Sequence, residues 1–139
     1  MSQRTADLYL VDLLDAADAI ARSLHGVSFD EFIGQNEKRD AVLWNLLIIG
    51  EASTKLPTDL TAALPDIPWD EIRAFRNRIV HGYFSLKWPI VWHIAAAEVP
   101  ALRGSAEVML SDHYPETYSR WQERIAAQRP QAGGAGTTP

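Results

Sequence analysis

The chain has 139 residues, with 18 acidic and 13 basic side chains and a formal net charge of −5. This length suits a single domain with a substantial core, and a composition that is 47% hydrophobic and 22% charged excludes a disordered chain. The acidic balance excludes a protein that coats nucleic acid through bulk charge, and the absence of cysteine excludes disulfides and a cysteine nucleophile.

The first apolar stretch carries four acidic residues, Asp7, Asp12, Asp15 and Asp18. A signal peptide needs an uncharged apolar region after basic residues, so none is expected. No window holds about 18 uncharged apolar residues, so no membrane span is expected either. Together with the lack of cysteine, which fits a reducing compartment, this pattern favours a cytoplasmic protein.

Two helices are predicted at the start of the chain. Apolar residues recur at steps of three and four over residues 10–24, which is the spacing of an amphipathic helix, and Gly26 is a plausible stop. The stretch 28–31 matches a capping box, so a short second helix is expected to run to about Ile33.

The next predicted helix, at residues 36–56, has an apolar surface too broad for a one-sided helix, so we place it at the centre of a bundle. Gly50 weakens this helix by about 1 kcal/mol relative to alanine. We expect a close approach of another helix to account for it. The prolines that follow predict a loop with one helical turn around residues 60–63.

Three further helices complete the prediction. One covers residues 69–82, and the next begins at Pro89, because proline is favoured at the first helical position. Pro100 cannot donate a backbone hydrogen bond, so a kink is expected there before the helix continues to about residue 110. Residues 113–128 are predicted to form the last helix.

No run shows the alternation of a strand, so the fold is predicted to be all-α, an up-and-down bundle of four to five main helices. Residues 1–128 are predicted to form one domain. The last stretch, 129–139, is rich in glycine and is predicted to be a disordered tail.

One short segment is basic within this acidic chain. Residues 71–87 hold four basic side chains against Glu71 alone: Arg73, Arg76, Arg78 and Lys87. Charge by itself favours a solvated helix face whose arginines pair with neighbouring acids. The residue types add chemistry, because a guanidinium binds phosphate bidentately and a histidine, present here as His81, is the usual proton-transfer group near neutral pH.

Arg76 and His81 do not share a face of a regular helix. Five residues at about 100° each place them about 140° apart around the axis. A helix that ends near His81, which Gly82 would permit, or a second copy of the chain could bring the two together. Arg76 is also a candidate ion-pair partner of Glu51, whose place inside an apolar helix demands compensation, and the two roles are compatible.

Residues 76–83, RNRIVHGY, resemble the R-x4-H-x-Y signature of HepT-like toxins, which belong to the HEPN superfamily of nucleotide-processing helical domains. Asn77, directly after the arginine, suits the superfamily pattern. The surrounding sequence is also similar, with IIGEA at 48–52, the Pro68-Trp69 pair before the motif, and the stretch 88–100 after it. The resemblance covers roughly residues 8–110 and implies that the predicted domain is HEPN-like.

The resemblance implies a metal-independent ribonuclease that is the toxin of a toxin–antitoxin pair, usually a homodimer with its two motifs facing across the interface. Arg76 would bind and stabilise the scissile phosphate, His81 would act as general base or acid, and Asn77 would orient one of these groups. Tyr83 would accept AMP from a small nucleotidyltransferase, the antitoxin, which would block the nuclease.

The other basic side chains of this segment, Arg73, Arg78 and Lys87, are expected to lie at the surface or to contact the RNA backbone. No metal and no cofactor are expected, because RNA carries its own nucleophile in the 2′-hydroxyl and the chain has no His-x3-His pair or clustered carboxylates. The alternative is a non-catalytic helical dimer that binds a nucleotidyltransferase, its nucleotide or its substrate. A bundle whose motif has lost its function is a third possibility.

Overall fold

The computed structural model describes residues 4–129. These residues form eight α-helices and no strand: α1 (Ala6–Leu24), α2 (Phe29–Ile33), α3 (Asn36–Thr54), α4 (Thr58–Ala62), α5 (Trp69–His81), α6 (Trp88–His93), α7 (Val99–His113) and α8 (Pro115–Gln128). A 3-10 turn, Tyr83–Ser85, follows α5, and a π-helical turn, Ile94–Glu98, joins α6 to α7. The predicted all-α bundle is confirmed. The tail predicted at 129–139 lies, apart from Arg129, outside the described residues.

Helix α1 ends and helix α2 begins where the sequence predicted. Gly26, just after α1, has a φ of 70°, a left-handed conformation that glycine adopts without steric penalty. At the start of α2 the Ser28 hydroxyl accepts a hydrogen bond from the Glu31 backbone N–H at 3.2 Å. The Glu31 carboxylate contacts the same hydroxyl at 3.1 Å. The serine half of the predicted capping box is therefore confirmed, whereas the Glu31 carboxylate accepts from the Ser28 hydroxyl in place of the Ser28 backbone N–H.

Helix α3 lies at the centre of the bundle, as its broad apolar surface predicted, and packs against both α1 and α5. The indole N–H of Trp69, the first residue of α5, donates to the Thr61 carbonyl at 3.0 Å, shortly beyond the end of α3. Seven residues later in α5, Arg76 lies against Gly50 in α3. The two helices therefore run in opposite directions, as expected for an up-and-down bundle. Helix α7 covers another side of α1.

The long helical stretch after the motif is interrupted ahead of Pro100. This proline has no N–H to donate to the preceding turn, and the structure has the π-helical turn Ile94–Glu98 at this point. The kink expected at Pro100 stays a prediction, and the irregularity that the structure has is the π-helical turn ahead of it. Helix α6 begins at Trp88, one residue before the predicted Pro89, and α7 continues beyond residue 110 to His113.

Helix α8 is fastened to α1 by polar contacts across more than 100 residues of sequence. Asp15 accepts the indole N–H of Trp121 at 3.1 Å and forms an ion pair with Arg124 at 2.7 Å. The Thr117 hydroxyl donates to Asp7 at 2.6 Å. The last predicted helix is confirmed, and acids of α1 hold it in place. No helix in residues 4–129 combines the length and the apolar character needed to cross a membrane.

Candidate functional site

Arg76 lies on the side of α5 that packs against α3. A Cβ atom added at Gly50 would lie 2.8 Å from the Arg76 Cγ and closer still to the Arg76 Cβ. Real Cβ atoms essentially never make contacts under 3.0 Å, so glycine alone leaves room for the arginine stem. The close approach predicted at Gly50 is confirmed, and the approaching residue is the arginine of the motif.

The Arg76 guanidinium is held at two of its three nitrogens. Nη2 forms the predicted ion pair with the Glu51 carboxylate, and Nη1 donates to the side-chain oxygen of Asn77 at 2.9 Å. Nε is buried and has no hydrogen-bond partner among residues 4–129. Because a guanidinium carries five N–H groups, two on each Nη, one N–H on each Nη nitrogen remains for a ligand.

His81 is the last residue of α5, and its side chain is exposed. Two hydrogen bonds close the end of the helix. The Gly82 N–H donates to the Arg78 carbonyl at 2.8 Å, and the Ser85 hydroxyl donates to the Gly82 carbonyl at 2.7 Å. Gly82 has a φ of −135°, which other residues also adopt. Its advantage is space, since an added Cβ would lie 2.9 Å from the Ser85 Oγ. The expected helix end is present, without the left-handed glycine that commonly marks one.

Two aromatic side chains follow His81 in the 3-10 turn. Tyr83 is 46% exposed and Phe84 is fully exposed. Their rings meet edge to face with centroids 5.5 Å apart. The exposed end of α5 therefore presents an imidazole, a phenol and an apolar ring to any molecule that approaches it.

The other three basic side chains of the segment 71–87 lie at or near the surface. Arg73 forms an ion pair with Asp70 at 3.0 Å across one helical turn, the solvated pair that charge alone would favour. Arg78 and Lys87 are exposed. The basic side chains of the segment 71–87 are therefore displayed at the protein surface, where a polyanion can reach them.

Comparison with known proteins decides the family. A sequence model of the family described as Ribonuclease HepT-like matches residues 13–109, which include all the site residues described above. The chain belongs to the HepT-like ribonuclease family. The match ends within α7, so α8 lies beyond the part of the chain that the family pattern covers.

Relatives of this HepT-like chain carry ribonuclease names. RNase MJ1380 of Methanocaldococcus jannaschii, so named provisionally, is 32% identical over 109 residues, which is 78% of this chain and 100% of its own. The probable ribonuclease HepT of Thermococcus cleftensis is 32% identical over 99 residues, 71% of this chain and 90% of its own. No significant match was found among solved structures.

The structure brings together only part of the HepT-like motif. Arg76 meets Asn77 and Glu51, whereas its hydrogen bonds do not include His81, which lies at the end of the helix. Within residues 4–129, no group of three or more histidine, aspartate or glutamate side chains is placed to hold a metal ion. The fully exposed Phe84 was not singled out from the sequence, because no periodic pattern shows which residues of a short turn face solvent.

Proposed function

We propose that this chain is a ribonuclease toxin that cleaves RNA without a metal ion, with Arg76, His81 and Asn77 as its catalytic residues. The observation that carries the proposal is the state of Arg76, whose orientation is fixed by Glu51 and Asn77 while one N–H on each Nη nitrogen has no partner among residues 4–129. Guanidinium N–H groups are the donors with which arginine binds a phosphate. An exposed histidine on the same helix supplies a proton-transfer group.

The proposed reaction uses the nucleophile that RNA itself carries. A 2′-hydroxyl loses its proton and attacks the adjacent phosphorus, the bond from phosphorus to O5′ breaks, and O5′ takes up a proton. The products are a 2′,3′-cyclic phosphate and a 5′-hydroxyl end. His81 acts as the base or the acid in these proton transfers. Arg76 offsets the negative charge that develops on the phosphorane, and Asn77 orients the guanidinium.

We also propose that the active form is a homodimer in which two motifs face each other. Arg76 packs on α3 while His81 ends α5, so a second copy is a direct way to bring the histidine of one chain towards the arginine of the other. Two basic segments would then form one cleft on an acidic body. Arg73, Arg78 and Lys87 would contact the RNA backbone along this cleft.

A nucleotidyltransferase antitoxin is proposed to neutralise the toxin in the cytoplasm. The antitoxin would transfer AMP from ATP to the Tyr83 hydroxyl and release pyrophosphate. The exposure of Tyr83 makes its hydroxyl accessible to a second enzyme. The added nucleotide carries bulk and negative charge to a position two residues from His81, and both would repel an RNA phosphate.

The test is cleavage of a mixed-sequence single-stranded RNA by the purified protein in the presence of excess chelator. We expect cleavage to 2′,3′-cyclic phosphate ends, and a loss of about 100-fold or more in His81→Ala and in Arg76→Ala. His25→Ala serves as the matched control, because His25 is exposed at the end of α1 and lies outside the motif.

Three other results of the cleavage experiment would contradict parts of the proposal. Retained cleavage in both motif variants would overturn the assignment of the site. Loss of wild-type cleavage on chelation would overturn metal independence. A wild-type protein that cleaves no RNA but binds a nucleotidyltransferase stably would favour the non-catalytic dimer.

A further inference from the structure

The acidic partner of Arg76 comes from another helix. Glu51 lies 25 residues earlier in the chain, yet its carboxylate forms an ion pair with Nη2 of Arg76. We propose that Glu51 is a positioning residue of the site, which fixes the orientation of the Arg76 guanidinium for binding a phosphate. This inference rests on the proposed function, and it adds a residue that the R-x4-H-x-Y pattern does not contain.

Two consecutive residues of α3 act on two parts of the same side chain. Gly50 accommodates the stem of Arg76, because an added Cβ would lie 2.8 Å from its Cγ. Glu51, the next residue, forms the ion pair with the guanidinium at the head of the side chain. The arginine is therefore held at its stem and at its head by one rigid helix, which leaves little freedom in the torsions between them.

The polar contacts of the guanidinium show why Glu51 matters for its orientation. The buried Nε has no partner in residues 4–129, so only the two Nη nitrogens are held. One of these contacts comes from Asn77, which neighbours Arg76 on the same helix and moves with it. Glu51 is the contact that ties the head of Arg76 to a different element, so its removal would free the guanidinium to rotate.

The exposure of the pair argues against a purely stabilising role. The side chains of Arg76 and Glu51 are 28% and 43% exposed. Ion pairs that water reaches contribute little to folding, because solvation competes with the attraction and ordering two long side chains costs entropy. The orientation of a phosphate-binding group is a stronger reason for a carboxylate at this place in a largely apolar helix.

The test compares Glu51→Ala with Glu51→Gln, which keeps a hydrogen-bond acceptor at the same distance from the backbone. Asp40→Ala is the control, because Asp40 is an exposed acid on the same helix. Cleavage of a labelled mixed-sequence RNA gives kcat and KM for each folded variant. We expect kcat to fall about 10- to 100-fold in Glu51→Ala, to recover in part in Glu51→Gln, and to stay unchanged in the control.

A second measurement keeps this inference separate from the ribonuclease proposal. In nitrogen-15 NMR spectra, a held guanidinium gives resolved Nη signals because its rotation is slow, and Arg76→Lys assigns them. We expect these signals in the wild type and their averaging in Glu51→Ala. Unchanged signals would overturn the positioning role even if no RNA is cleaved. An unchanged kcat in Glu51→Ala would also overturn it, and an unchanged kcat with a lowered KM would show that the carboxylate instead competes with RNA for the guanidinium.

Discussion

The stem of Arg76 in α5 crosses the backbone of Gly50 in α3 so closely that a Cβ at position 50 would lie 2.8 Å from the Arg76 Cγ. This contact joins the fold to the candidate site, because the glycine that lets the two helices approach also seats the side chain proposed to bind phosphate. Any side chain at position 50 must push the arginine or the whole of α5 away.

Gly50→Ala is expected to lower the free energy of unfolding by about 1–2 kcal/mol, because the strain of overpacking exceeds the gain of about 1 kcal/mol in helix propensity. The displaced arginine should also reduce RNA cleavage. Gly104→Ala in α7 is the matched control, since a Cβ there would meet no atom within 4 Å. It should stabilise the protein by about 0.5–1 kcal/mol. Urea unfolding measures the free energy of unfolding of each variant. Equal stabilisation of Gly50→Ala and Gly104→Ala would contradict the close contact between Gly50 and Arg76.

Trp121→Ala is expected to cost about 3–5 kcal/mol, the usual penalty for emptying a buried aromatic site. Trp121 is 4% exposed and donates its indole N–H to Asp15. Trp44→Ala is the control, because Trp44 is 63% exposed and its loss should change stability by less than about 0.5 kcal/mol. Urea unfolding again gives the comparison. A similarly small loss of unfolding free energy in Trp121→Ala and Trp44→Ala would mean that α8, which lies beyond the family match, is not part of the cooperative core.

The positions of the helices could be predicted because their signals are local. Periodicity, the Ser28 cap, the left-handed Gly26 and the helix-breaking prolines each act within a few residues. The attachment of α8 to α1 could not be predicted in this way, since Asp15 and Trp121 are 106 residues apart. A carboxylate on the polar side of an amphipathic helix carries no local sign of the partner it will meet.

The candidate site could be predicted in part for the same reason. The spacing of Arg76 and His81 was visible in the sequence, and the helix penalty at Gly50 indicated that something must pack against it. A single sequence does not specify that the neighbour is Arg76, because this contact depends on how α3 and α5 align. That the buried Nε of Arg76 has no partner within residues 4–129 likewise follows only from the packing of the two helices.

Thr117→Val should weaken the protein in a pH-dependent manner. Hydrogen bonds from Thr117 and then Thr5 lower the pKa of Asp7 in the folded state. A lowered folded-state pKa stabilises the protein above the unfolded-state pKa of about 3.9, and this stabilisation is lost as the pH falls through the folded-state value. The variant should therefore be less stable than the wild type near neutral pH, with a difference that shrinks in acid.

Urea unfolding at neutral pH and below about pH 3 checks this prediction. The same substitution in an Asp7→Asn background is the control, because without the titrating carboxyl the effect of Thr117→Val should not vary with pH. A constant difference between Thr117→Val and the wild type at all pH values would contradict the assigned cause.

Tyr83→Phe should abolish AMP addition after co-expression with a nucleotidyltransferase, whereas Tyr118→Phe should not. Tyr83 is 46% exposed in the turn after the motif. The Tyr118 hydroxyl instead donates to Glu107 at 3.0 Å and accepts from Gln122 at 2.9 Å. Burial and the Glu107 carboxylate raise the pKa of Tyr118, so its hydroxyl gives up its proton less readily.

Intact-mass measurement of the purified protein reads the outcome directly. We expect AMP adducts on the wild type and on Tyr118→Phe, and none on Tyr83→Phe. The modified wild type should also have lost cleavage of mixed-sequence RNA, because the added phosphate repels the RNA backbone near His81. Adducts that persist in Tyr83→Phe would place the modification elsewhere. Full cleavage by the adducted protein would show that AMP on Tyr83 does not neutralise the nuclease, because a nucleotide that kept RNA away from His81 by its charge and volume would have to reduce cleavage.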